Sequence, residues 1–169
     1  KLREAGINYI DTARGYTVSE SYLGEALEGI RQDFILATKS MSRDKASMAK
    51  DIDISLQNLR TDYIDLYQCH NPTPAELEKI CAPGGALEGL LEAKAAGKIR
   101  HIGITAHKIK VAEEAVESGL YETLQFPLSY LSGEQELNLV KRCKEQNMGY
   151  IAMKALAGGL INTLINLVG

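Results

Sequence analysis

Residues 34–67 read FILATKSMSRDKASMAKDIDISLQNLRTDYIDLY. Two short apolar runs, 34–38 and 63–67, flank a segment in which Met48, Ile52, Leu56 and Leu59 recur at helical spacing. The runs are rich in β-branched and aromatic residues, as strands are, and the middle segment has the 3.6-residue period of an amphipathic helix. A strand, a crossover helix and a second strand bring the chain back to the same end of a sheet, so the two strands are expected to be parallel.

The same unit repeats on both sides. Further strand-like runs occupy 7–10, 99–104, 123–126 and 150–153. Between them lie four more helical stripes: Tyr22, Leu23, Ala26, Leu27 and Ile30; Leu87, Leu90, Leu91 and Lys94; Ile109, Ala112, Ala115 and Val116; and Leu137, Val140 and Lys144. Gly97, Gly119 and Gly149 are expected to close helices in the left-handed conformation, and Asp44 and Gly133-Glu134 to open them. Successive strand starts are 27, 29, 36, 24 and 27 residues apart. That regular period predicts an α/β fold, a parallel (β/α)8 TIM-type barrel, over a flavodoxin-like open sheet.

Six strands are legible where such a barrel has eight. A six-strand sheet would leave two long edges unpaired, which stable proteins avoid. The reading is therefore a single (β/α) barrel domain over 1–169, incomplete, lacking the N-terminus and at least the last strand region. Ile161 follows Leu160 with no turn signal, so 161–169 is expected to be a stray strand joined across a gap. A peptide map that finds extra residues between Leu160 and Ile161 would bear this out.

Of the 169 residues, 45% are hydrophobic and 24% charged, an ordinary globular composition, and the net charge is −3. There is no basic stripe to attract nucleic acid or an anionic membrane, and no apolar run approaches the roughly 20 residues of a membrane helix. Cys69, Cys81 and Cys143 are odd in number and form no CxxC pair, so they read as reduced thiols of a cytoplasmic protein rather than as a metal site or a disulfide framework.

In a parallel barrel the chemistry gathers at the C-terminal ends of the strands. There the sequence places Asp11 and Tyr16, then Lys39, then His70, then Thr105 and His107, then Gln125. The first four form an acid–base set. Tyrosine is a weak acid at neutral pH; a lysine cation beside it would stabilise the phenolate, and an aspartate would hold that lysine charged. A histidine can then donate to a substrate carbonyl and orient it.

The segment from Gly6 to Tyr16, GINYIDTARGY, resembles the signature of the aldo-keto reductase family. Ala37-Thr38-Lys39, the stretch from Asp62 to His70 and Lys98-Ile99-Arg100-His101-Ile102-Gly103-Ile104 are similar to three further motifs of that family, in the same order. The match covers roughly residues 5 to 160. It implies a soluble oxidoreductase that reduces an aldehyde or ketone, a small-molecule carbonyl substrate, with NADPH, or less often NADH. Tyr16 would be the general acid, tuned by Lys39 and Asp11, with His70 orienting the substrate. Gln125 matches the family's carboxamide-contacting glutamine, and Thr105 stands where a serine is usual.

The chain also departs from the family. A Ser-Asn pair is here Thr105-Ala106, with His107 as a stand-in; an aromatic stretch is here Met153-Lys154-Ala155-Leu156. Ala157-Gly158-Gly159 resembles the start of the pyrophosphate loop, which makes Gly158 and Gly159 cofactor candidates. Two other readings keep the fold: a nicotinamide-binding sensor without turnover, and a subgroup with an appended iron–sulfur domain, for which no cysteine cluster is present. His101, inside a strand, reads as a structural histidine, and Asp65 as a buried structural partner.

Overall fold

The computed structural model describes residue 1 and residues 3–159. Chain contacts divide it into two compact units, 1–103 and 104–169, which are described separately.

The first unit holds β1 (Tyr9–Asp11), α1 (Ser19–Ala26), β2 (Ile35–Ser40), α2 (Lys45–Leu59), β3 (Ile64–His70), α3 (Pro74–Cys81), α4 (Ala86–Ala95) and most of β4 (Ile99–Thr105). The strands lie in chain order. β1 pairs in parallel with β2, Asp11 opposite Ala37, and β2 pairs in parallel with β3, with Thr38 opposite Tyr67 and Lys39 opposite Gln68. The interiors of β2 and β3 are buried on both faces, as parallel strands covered by helices must be.

α2 begins where Asp44 caps it by accepting from the Ser47 amide at 2.9 Å, and ends on Arg60 in the left-handed region. Its buried face is Met48, Ile52, Ser55 and Leu59, so a serine takes the place expected of Leu56. α1 departs further from expectation. Tyr22 is exposed and the helix instead buries Glu20 and Gly24. A side chain at Gly24 would meet the Asn58 carbonyl at 2.2 Å, so glycine is what lets α1 lie against α2. α3 carries no stripe in the sequence reading; Pro74 at its first turn and a Thr73–Glu76 capping box start it.

Asp65 on β3 is the buried structural partner expected of it. It accepts from Arg31 and Arg100, both at 2.8 Å, and from the Leu36 amide at 3.0 Å. The same two guanidinium groups lie 4.5 and 3.8 Å from the centre of the Tyr63 ring. Burial acts to raise the Asp65 carboxyl; the Leu36 amide, Arg31 and Arg100 outweigh it and hold it below the usual carboxylate range.

The second unit holds the end of β4, α5 (Ile109–Ser118), β5 (Thr123–Pro127), α6 (Glu134–Glu145) and β6 (Gly149–Met153), and closes on a 3-10 turn, Ala157–Gly159. The Ala106 amide donates to the Gln125 carbonyl at 3.0 Å, and β5 pairs in parallel with β6 with Gln125 opposite Ile151. α5 ends on left-handed Gly119, as read, and buries Ala112, Ala115 and Val116 with Val111 in place of Ile109. α6 is rotated from its reading: Leu139 and Cys143 are buried while Leu137 is exposed. Gly97 is left-handed as expected, but Gly149 is extended and opens β6; Asn147, with φ of 56°, makes the left-handed turn after α6.

The fold is thus a parallel α/β repeat of six strands, with every described register parallel. The suspected junction at Leu160–Ile161 and the segment 161–169 lie outside the described residues. Among the described residues no helix is long and apolar enough to cross a membrane.

Candidate active site

Asp11 is the last residue of β1, Lys39 the fifth of β2 and His70 the last of β3, so the strand ends of the first unit supply three of the four expected catalytic residues. The fourth comes from the turn after β1. Residues 12–14 still run beside β2: the Thr12 amide donates to the Ala37 carbonyl at 2.9 Å and the Arg14 amide to the Lys39 carbonyl at 3.0 Å. The chain then reverses through Tyr16, whose amide donates to Ala13 and whose carbonyl accepts from Ser19, with Thr17 at a φ of 48°. That reversal leaves Tyr16 47% exposed at the mouth of the site.

Lys39 is 3% exposed. A buried ammonium must be paired and hydrogen-bonded. Its Nζ donates to Asp11 Oδ2 at 2.5 Å and to the Thr12 carbonyl at 2.8 Å, and stands 5.1 Å from the centre of the Tyr16 ring. The His70 ring meets the Tyr16 ring edge-on, centroids 6.1 Å apart at 86°. All four residues are therefore brought together in one place.

The sequence reading missed three contributors in this unit. Gln68 is fully buried and its Nε2 donates to Asp11 Oδ1 at 3.3 Å, holding the carboxylate oxygen that Lys39 does not take. Its position two residues before His70 on the same strand face was the available signal. Arg43 donates through Nη2 to the His70 carbonyl at 2.9 Å. Glu20 is the third. At 2% exposed it accepts from Thr38 and Ser55 on one oxygen and from Arg14 and Asn58 on the other, at 2.8–3.2 Å. The Arg14 guanidinium is driven two ways: burial lowers its proton affinity, and the hydrogen bond and charge of Glu20, with Asp51, raise it above its ordinary value. Tyr9 carries a second phenol near Asp11; burial first and the Asp11 charge second push it well above the tyrosine range, so it stays neutral.

In the second unit Thr105, the last residue of β4, and Gln125, in β5, are 2% and 8% exposed. His107 follows β4 and is exposed; burial first and the charge of Lys154 second lower its imidazole from the usual value. Met153 ends β6, Lys154 follows in the left-handed region at φ 55°, and Gly158 is left-handed at φ 66° within the 3-10 turn that Gly159 ends. Gln125 lies within β5, and the other cofactor candidates lie at or just beyond strand C-termini of that unit.

A model of the aldo/keto reductase family matches residues 1–166. The chain is 32% identical to L-galactose dehydrogenase of Arabidopsis thaliana over 178 residues, covering 95% of this chain and 55% of the relative. It is 31% identical to an aldo-keto reductase of Bacillus subtilis, covering 94% and 50%. Among solved structures, the holo form of an aldo-keto reductase from Bacillus halodurans superposes with a TM-score of 0.77 at 31% identity, covering 89% of this chain and 53% of that one. An aldo-keto reductase of Klebsiella pneumoniae in complex with NADPH gives 0.75 at 26%, covering 91% and 55%. The chain spans about half the length of the relatives it matches. It belongs to the aldo/keto reductase family of oxidoreductases.

Proposed function

We propose that the whole protein reduces an aldehyde or ketone to an alcohol with NADPH, and that Tyr16 is the general acid. The observation that carries the proposal is the Lys39 ammonium, locked to Asp11 at 2.5 Å and set 5.1 Å from the Tyr16 ring beside His70. In this reading the Tyr16 phenol gives its proton to the carbonyl oxygen. Lys39 stabilises the phenolate left behind, and Asp11, itself held by Gln68, keeps the lysine charged and in place. His70 orients the carbonyl by hydrogen bonding.

A nicotinamide cofactor, when bound, supplies the hydride. The donor set fits one: Thr105 and Gln125 are buried polar side chains with a hydroxyl and an amide suited to a carboxamide. Met153 offers a soft apolar surface to a ring face, and left-handed Gly158 lets backbone approach a pyrophosphate. Lys154 brings a positive charge to the same strand ends, and His107 an imidazole whose cation burial and that charge disfavour. NADPH is favoured because the Klebsiella pneumoniae relative was solved with it. The six strands are then part of one (β/α)8 barrel domain, and Cys69, Cys81 and Cys143, which are thiols and not disulfide partners, suit a reducing compartment such as the cytoplasm.

The test is consumption of NADPH absorbance with an aromatic aldehyde, on the full-length protein beside Tyr16→Phe. A rate that falls by about two to four orders of magnitude in the variant supports both the reaction class and the proton donor. NADPH binding without turnover in either protein overturns the enzyme reading in favour of a nicotinamide sensor.

A further inference from the structure

Tyr16 stands on a turn anchored in the core by Ala13 alone, with its tip from Gly15 to Val18 exposed. Val18 and Tyr16 are exposed, and Thr17 sits in the left-handed region, a conformation that costs a β-branched residue free energy. What keeps such a turn in one geometry lies on both sides of it. The Thr12 and Ser19 hydroxyls are 2.7 Å apart and join its ends. A second tie spans the turn: Arg14 Nη1 donates to Glu20 Oε2 at 2.8 Å, so that Tyr16 lies inside a loop closed by an ion pair.

Glu20 does not merely meet Arg14. Its other oxygen accepts from Thr38, the residue before Lys39 on β2, and from Ser55 on α2. Arg14 in turn reaches toward Asp51 at 3.7 Å, and Asp51 accepts from the hydroxyls of Ser40 and Ser42 on the far side of Lys39. The two carboxylates thus reach the strand just before and just after the lysine. A buried carboxylate is expensive, and one with four donors is a rigid point in a low-dielectric setting. α1 and α2 need no such charge to pack, since Gly24 and Leu59 already meet there.

We propose that Arg14 and Glu20 are positioning residues, a clamp that fixes the Tyr16 turn to the strand carrying Lys39. The inference rests on the proposed role of Tyr16. It predicts that loosening the clamp lowers kcat and leaves KM for the aldehyde little changed, because the turn misplaces the proton donor while the rest of the site stays. A displacement of that kind costs about a hundredfold in rate.

The experiment uses the full-length protein with Glu20→Gln, Arg14→Met and Arg14→Lys, each also in the Tyr16→Phe background. The expected result is a fall in kcat of about a hundredfold for Arg14→Met, partial rescue in Arg14→Lys, and no added loss once Tyr16 is phenylalanine. An equal loss in both backgrounds means general damage and overturns the clamp. Arg14→Met, at a partly exposed position, keeps the test usable if Glu20→Gln fails to fold. Amide exchange is read alongside, without need of turnover. The amides of Thr12, Arg14, Tyr16 and Ser19 should lose protection in Arg14→Met while α2 keeps its own. Lost protection with no turnover in the parent protein would sink the catalytic reading and leave the clamp standing; unchanged protection would sink the clamp.

Discussion

Thr38 and Lys39 are neighbours on β2 whose side chains serve opposite faces of the sheet: the hydroxyl donates to Glu20 at 2.9 Å, and the ammonium to Asp11 at 2.5 Å. The two-residue period of a strand therefore separates a structural network from a chemical one with a single step along the chain.

Replacing the ammonium should separate chemistry from binding. Lys39→Met is expected to lower kcat by about three orders of magnitude, the middle of the range of general acid–base contributions, with a smaller effect on KM. Asp11→Asn should cost less, because Lys39 keeps the Thr12 carbonyl as a partner. Steady-state kinetics with NADPH decide it, and equal losses in the two variants would contradict the arrangement.

Gly24→Ala tests how closely α1 lies on α2. The new methyl would sit 2.2 Å from the Asn58 carbonyl and 2.9 Å from the Leu59 carbonyl carbon, both backbone atoms that do not yield easily. Overpacking of this kind should destabilise by about 2 to 3 kcal/mol, read from urea unfolding. An unchanged midpoint would mean that the helices do not meet as described.

Asp65 should shape the acid limb of stability. Its folded carboxyl is held below the unfolded value, so its contribution is complete above the ordinary carboxylate range and is lost as pH falls through the folded value. Asp65→Asn leaves Arg31 and Arg100 without their shared anion and should cost about 3 kcal/mol at neutral pH. The variant should then lose less than the parent between neutral and acid pH. Urea melts across that range measure it, and parallel decline of the two proteins would refute it.

His107 should titrate below the usual histidine range, since burial and then the Lys154 charge disfavour its cation. Because burial is the larger cause, Lys154→Met should restore only the smaller part of the shift. An NMR titration of the imidazole shows whether it does.

The strands were legible because their β-branched and aromatic runs recur at one period, and the catalytic set because strand ends in a parallel fold collect on one side. Helix faces were less so. Tyr22 and Leu137 look like core residues, yet α1 buries Glu20 and Gly24 and α6 buries Leu139 and Cys143. A carboxylate in a helical pattern reads as a solvated face; only the donors Arg14, Thr38, Ser55 and Asn58, spread over 45 positions of chain, make Glu20 a core residue. Gly149 was misread for a local reason: asparagine also accepts the left-handed turn, and Asn147 took it.

The chain-order strands of the first unit also bear on how the site comes into being. Lys39 and Asp11 are 28 residues apart, Asp65 and Arg31 34, and Asp65 and Arg100 35. Each contact closes a loop of about one strand–helix repeat, and closure entropy rises only slowly with such lengths. Assembly of the acid–base set thus waits on no distant part of the polypeptide. Once β3 has docked on β2, ribosomal synthesis has already delivered Asp11, Tyr16, Lys39, Gln68 and His70.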